Sequence, residues 1–162
     1  SFPVVVDTIF ASGSGLLLAD SETIGLYRRE VIPRAAVVTP NVVETQALAE
    51  CVIVDNRGLE GAARKLLELG AKAVLIKGGH LSEEEVVDLF MTLKDLRRFA
   101  RKRRGFKRVH GTGCTLSAAI TAYLARGSSL GDAVASAEAY IDRKLASLLY
   151  AGEGEPIIDH LK

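Results

Sequence analysis

Residues 59–79 read LEGAARKLLELGAKAVLIKGG, and a change of hydrophobic period inside this stretch decides the fold. In its first half, Leu59, Ala63, Leu66 and Leu67 share one face of an amphipathic helix, and Gly70 supplies a C-terminal stop. In its second half, Ala73-Val74-Leu75-Ile76 is apolar without interruption, which over so few residues reads as a strand buried on both faces. Lys77-Gly78-Gly79 ends that strand. Working outward, Ala35-Ala36-Val37-Val38-Thr39 is a second such run, stopped by Pro40-Asn41, and the valine-rich residues 3–10 are a third. Residues 16–31 have mixed helical spacing and are expected as a helix ending before Pro33. Residues 43–49 are expected as a short helix. Strands alternating with helices predict an α/β fold with a mostly parallel sheet and right-handed crossovers.

Downstream the pattern changes. Ser82 and Glu85 fit a capping box, so a helix over 82–96 competes with a hairpin. The reading adopted pairs 86–92 with 97–102 as a small antiparallel hairpin around Leu93-Lys94-Asp95. After a basic stretch, His110-Gly111-Thr112-Gly113-Cys114-Thr115 opens a helix, with Leu116, Ile120, Tyr123 and Leu124 at helical spacing up to Gly127. A last helix is expected over 130–149, where Ala133, Ala135, Ala137 and Ala139 suit close packing. The tail, with Gly152, Gly154 and Pro156, is expected to be irregular.

Composition bounds what such a chain does. Its 162 residues are 48% hydrophobic, with 21 Lys and Arg against 20 Asp and Glu, enough to build the core of one domain and too apolar for disorder. No apolar run approaches the roughly 20 residues of a membrane span, and the start, Ser1-Phe2-Pro3-Val4-Val5-Val6-Asp7, does not read as a secretory signal. Cys51 and Cys114 stand far apart outside any CxxC pair, which speaks against a disulfide scaffold or thiolate zinc site and makes a reducing cytoplasm the default. Eight of the twelve residues 97–108 are Lys or Arg, so the remainder is net acidic. Only Phe99 and Phe106 interleave with these charges, a poor stacking platform. A phosphate-facing or solvated loop is therefore expected, rather than a nucleic-acid arm.

In an open parallel sheet, ligands bind beyond the carboxyl ends of the strands. Three clusters fall at such ends: Asp7 with Ser14-Gly15, Thr39-Pro40-Asn41 with Glu44, and Lys77-Gly78-Gly79. A fourth, Gly111-Thr112-Gly113-Cys114, opens a helix. Glycines there let the backbone approach a ligand closely, and the first helical turn leaves N–H groups without intrahelical partners. Those donors and the positive helix end suit a phosphoryl group. They also favour thiolate at Cys114, which could take the proton of an attacking hydroxyl. The plainer alternative is a tight turn with Cys114 as filler. Lys77 could contact phosphate or be a solvated turn lysine. Asp7 and Glu44 could hold Mg²⁺, or serve as a strand-end cap and a first-turn helix charge. Neither a Walker loop nor a full Rossmann fingerprint is present, and His80 and His110 lack metal-like partners.

Taken together, Val4-Val5-Val6-Asp7-Thr8-Ile9-Phe10 with Ser14-Gly15, Val38-Thr39-Pro40-Asn41-x-x-Glu44, Val74-Leu75-Ile76-Lys77-Gly78-Gly79-His80-Leu81 and the run from His110 through Gly111-Thr112-Gly113-Cys114 to Ile120 resemble the hydroxymethylpyrimidine/phosphomethylpyrimidine kinases of the ribokinase-like superfamily. The resemblance implies a three-layer αβα fold over 1–162, a single incomplete domain lacking the N-terminal part of the family fold. That would leave an uncovered sheet edge for association or homodimerisation. It implies ATP-dependent phosphotransfer to a pyrimidine hydroxymethyl group or its monophosphate in thiamine biosynthesis. Cys114 would be the catalytic base, and the N–H groups of Gly111, Thr112, Gly113 and Cys114 an anion hole. Lys77 would meet ATP phosphates, while Asp7, Asn41 and Glu44 organise nucleotide and Mg²⁺, the metal on Glu44 and indirectly on Asp7. Residues 98–109 and the last two helices would border the adenine. Hydroxyethylthiazole kinase, pyridoxal kinase and a non-catalytic nucleotide- or anion-binding fragment are the alternatives.

Overall fold

Three short apolar strands, β1 (Val5–Val6), β2 (Val37–Val38) and β3 (Ala73–Ile76), lie parallel in a computed structural model that describes residues 2–10, 18–78, 85–103, 109, 111–150, 154 and 156–161. Val5 pairs with Val37, and Val38 pairs with both Val6 and Val74. β4 (Glu85–Thr92) runs antiparallel against β3, and β5 (Leu96–Lys102) antiparallel against β4, giving the order β1-β2-β3-β4-β5. The chain divides into two compact units, Ser1–Lys102 and Arg103–Lys162.

In the first unit the connections are helical. α1 (Ser21–Leu26) continues as a π-helical turn, Tyr27–Val31, and a 3-10 turn, Ile32–Arg34. α2 (Val42–Ala49) follows β2, and α3 (Asn56–Glu68) precedes β3. Val6, Val38, Val74, Ile76, Leu89 and Met91 join Ile32, Leu48, Leu59, Ala63 and Leu66 in one core. Leu48 and Leu66 are fully buried, and each such side chain stabilises by about 1.5–3 kcal/mol. All four residues of β3 are buried, the physical reason its sequence shows no alternation. The hairpin reading holds: Thr92 closes the turn by accepting at Oγ1 from the N–H groups of Lys94 (3.1 Å) and Asp95 (2.9 Å).

Several expectations need correction. The first helix begins at Ser21, where Asp20 accepts the Thr23 N–H at 2.8 Å as an N-cap; residues 11–17 lie outside the described ones. The strands expected over 3–10 and 35–39 contract to two residues each, because the β1–β2 ladder pairs only Val5 with Val37 and Val6 with Val38. The helix over 82–96 that competed with the adopted hairpin is excluded from Glu85 onward, since β3 offers a ladder that Leu89, Phe90, Met91 and Thr92 fill; Ser82 is not among the described residues.

The second unit pairs α4 (Thr112–Ala125) with α5 (Leu130–Lys144). Gly127, at φ +89°, makes the turn between them, and Ser129 caps α5 through the Asp132 N–H. The last helix stops at Lys144, short of the expected 149. Leu148–Leu149 instead forms β6, antiparallel to β7 (Ile157–Ile158), so the tail is not wholly irregular. Two-residue strands are too short to show a period, which is why neither was legible. Among the described residues no helix is long and apolar enough to cross a membrane.

Candidate functional site

The carboxyl ends of β1, β2 and β3 converge on a polar corner within the first unit. Beyond β3, Lys77 bridges to Asn41 in parallel register, its N–H donating to the Pro40 carbonyl at 2.8 Å. Its ammonium reaches Asp7 Oδ1 at 3.0 Å, with both side chains largely shielded (20% and 15% exposed). Thr39, fully buried, donates to the same Asp7 oxygen at 3.3 Å. Lys77 is therefore an ion-paired, half-buried residue rather than a solvated turn lysine.

Glu44 occupies the first turn of α2. Asn41 caps the helix by accepting the Glu44 N–H at 2.8 Å, while Glu44 Oε2 accepts the Asn41 N–H at 2.8 Å, a complete capping box. The same Oε2 accepts the Thr8 hydroxyl at 3.2 Å. Burial pushes the Glu44 carboxyl above its ordinary value, against the opposing pull of the Asn41 N–H and the Lys77 charge. Asp7, Asn41, Glu44 and Lys77, all singled out from sequence, thus come together in one unit. Thr8 and Thr39 complete the network. Thr8 was not singled out; its only sequence signal is a hydroxyl directly after Asp7 in an apolar run.

Gly78 is demanded by close approach: a Cβ there would sit 1.8 Å from the Val87 carbonyl oxygen. Its N–H donates at 2.8 Å to Asp88, a buried acid of β4 that sequence reading missed. Arg101 pairs with Asp88 at 2.8 Å, Arg97 with Asp95 at 2.6 Å, and Arg98 with Glu60. Three arginines of the basic stretch are therefore neutralised inside this unit.

In the second unit, Gly111 stands at φ +84° as the N-cap of α4, a left-handed conformation that favours glycine. Thr112 Oγ1 donates to the Val109 carbonyl at 3.0 Å, and the helical ladder opens with the Thr115 N–H to Gly111 bond at 2.9 Å. The amides of Thr112, Gly113 and Cys114 precede that ladder. Cys114 is exposed. It borders a cavity of about 520 Å³ whose wall includes Tyr123, Arg126, Tyr140 and His160, with Tyr140 Oη 3.3 Å from His160 Nδ1. These wall residues were not foreseen, because Tyr140 and His160 meet only through the fold of the tail.

Gly13, Ser14, Gly15, Gly79, His80, Leu81, His110 and residues 104–108 lie outside the described ones. Among the described residues no three His, Cys, Asp or Glu side chains group as metal ligands.

The sequence profile of the phosphomethylpyrimidine kinase family matches residues 1–159. A hydroxymethylpyrimidine/phosphomethylpyrimidine kinase of Haemophilus influenzae is 35% identical over 161 residues, covering 97% of this chain and 60% of that protein. A thiamine biosynthesis bifunctional protein of Geobacter sulfurreducens is 37% identical over 158 residues, 98% of this chain and 32% of the relative. The chain thus spans at most about three fifths of these curated relatives. Among solved structures, the pyridoxal kinase of Staphylococcus aureus in complex with ADP matches with a TM-score of 0.88 at 29% identity, over 98% of this chain and 58% of that one. A profile match across nearly its whole length, on an α/β scaffold shared with a vitamin kinase, shows that this chain belongs to the phosphomethylpyrimidine kinase family.

Proposed function

We propose that this chain carries the nucleotide-handling and phosphoryl-transfer elements of a cytoplasmic hydroxymethylpyrimidine/phosphomethylpyrimidine kinase acting in thiamine biosynthesis, with ATP as phosphoryl donor. The observation that carries the reading is the start of α4, where three backbone amides precede the helical ladder beside an exposed thiol. Such a cup holds an anion through oriented N–H donors and the positive helix end. In this role Cys114, as thiolate, takes the proton from the acceptor hydroxyl while that oxygen bonds to the γ-phosphorus and the bond to the leaving ADP oxygen breaks. The amides of Gly111, Thr112, Gly113 and Cys114 steady the charge on the transferred group. Phosphoryl transfer asks mainly for positioning and charge stabilisation, so a modest base suffices.

Lys77 serves the nucleotide phosphates. Its ammonium has three donors, and the bond to Asp7 uses one of them. Asn41 and Glu44 hold the backbone of that corner through their capping box. The donor set also fits Mg²⁺ arriving with the nucleotide. Glu44 and Asp7 supply one or two carboxylates, which is what this ion takes when substrate phosphates and water fill the rest of its shell. When bound, that ion neutralises charge between the phosphates. The match to a pyridoxal kinase structure makes pyridoxal the second acceptor to be weighed. β1 is an edge strand of the described sheet and Phe2 and Val4 are exposed, so a second copy of the chain is the partner proposed for that edge.

The test is ADP release, coupled to a reporter, with hydroxymethylpyrimidine, its monophosphate and pyridoxal as acceptors. Turnover with the pyrimidines supports the reading, and turnover with pyridoxal alone replaces it. ADP binding without turnover on any acceptor reduces the chain to a nucleotide-binding module.

A further inference from the structure

Asp88 stands in β4 between Val87 and Leu89 and is 1% exposed, the one acid in the buried part of an otherwise apolar strand. Burying a carboxylate is unfavourable unless it is paired and hydrogen-bonded, and even a paired one is weak evidence for stability. Its presence is better explained by what it orients. The β3–β4 ladder ends at Ile76 opposite Leu89. One residue on, Lys77 continues the parallel register with β2 through its bridge to Asn41, and the following N–H, that of Gly78, donates to the Asp88 side chain. Asp88 Oδ1 takes that N–H at 2.8 Å, while Oδ2, which accepts no well-aligned hydrogen bond, lies 2.8 Å from the guanidinium of Arg101, opposite Val86 on β5, as an ion pair. The missing Cβ of Gly78 lets the two backbones come this close. A continuous chain of contacts therefore runs from Arg101 through Asp88 and the Gly78 N–H to the backbone that carries Lys77, whose ammonium meets Asp7.

We propose that Asp88, braced by Arg101, is a positioning residue for nucleotide phosphate: by fixing the Gly78 N–H it sets the corner from which Lys77 reaches its anion. This rests on the role proposed above for Lys77. It assigns the hairpin a part in nucleotide affinity through Lys77.

Calorimetric titration with ADP tests it in a cycle. Lys77→Ala is expected to weaken ADP by about tenfold or more, and Asp88→Ala by about tenfold, the scale of a charge-assisted hydrogen bond. In the Lys77→Ala background, Asp88→Ala is expected to change affinity by less than about twofold, because it acts through Lys77. A merely structural role would instead lower the melting temperature and weaken ADP equally with or without Lys77, and that result overturns the inference. Two paired variants cover a failure of Asp88→Ala to fold. Asp88→Asn with Arg101→Gln keeps an acceptor for the Gly78 N–H and should restore most of the affinity. Asp88→Leu with Arg101→Leu fills the site without an acceptor and should lose about tenfold. Equal ADP affinity in the two pairs also overturns the inference. A silent Lys77→Ala, by contrast, sinks the reading of Lys77 itself, and the positioning role goes with it.

Discussion

Replacing Gly78 by alanine should be among the most damaging single-methyl changes in the chain. The added carbon would lie 1.8 Å from the Val87 carbonyl oxygen and 3.0 Å from its carbon, backbone atoms that no rotamer change can move aside. Ordinary contact is 3.4 Å or more, so the strands must part by over an ångström at this point. That opening takes the Gly78 N–H off Asp88 and leaves a buried carboxylate short of a donor. Losing a hydrogen bond to a charged group costs about 1.5–3 kcal/mol, and forcing a packed backbone apart costs about 1–3 kcal/mol. The sum, about 2.5–6 kcal/mol, is a large part of the 5–15 kcal/mol that usually separates folded from unfolded chains. Urea unfolding followed by far-ultraviolet circular dichroism should show the midpoint falling by roughly 2 M, for a slope of about 2 kcal/mol/M. A loss below about 1 kcal/mol would refute the reasoning, because it would mean that β3 and β4 part freely beyond Leu89.

Other consequences are smaller. Because burial raises the Glu44 carboxyl, the folded chain holds that proton more tightly than the unfolded chain, and stability must fall as pH rises above the ordinary value of 4.5 through the raised one. Glu44→Gln should flatten that decline in urea midpoints between pH 4.5 and 7; an unaltered slope would exclude Glu44 as its source. Asn41→Ala removes the acceptor for the Glu44 N–H and should destabilise by about 1 kcal/mol, with no change in midpoint contradicting the cap. Sedimentation equilibrium should detect self-association that a lysine at Val4, beside the β1 edge, weakens; a strict monomer would remove the second copy as partner.

What the sequence made legible follows from burial. β3 could be read because both faces are covered, leaving no polar position to blur the run, and α3 because Leu59, Ala63, Leu66 and Leu67 repeat on one face. The polar corner was readable because parallel topology sends every strand's carboxyl end to one rim, so Asp7, Asn41, Glu44 and Lys77 were brought together before any coordinates. The hairpin was harder. Ser82 and Glu85 carry a helix-start signature, and only pairing with β3 decides against it. Asp88 was invisible because a single acid in a strand reads as an outward-facing position, and its partner Arg101 sits on the neighbouring strand in a diagonal register. Tyr140 and His160 meet across twenty residues, a contact that no local period encodes.

Phosphoryl transfer at the start of α4 is the claim on which the functional account stands, and the rate of ADP formation in a single turnover with hydroxymethylpyrimidine tests it most directly. Cys114→Ala should slow that step by about 10²–10⁴-fold, the usual contribution of a positioned base. A Cys114→Ala chain that transfers phosphoryl as fast as the native one would contradict the account.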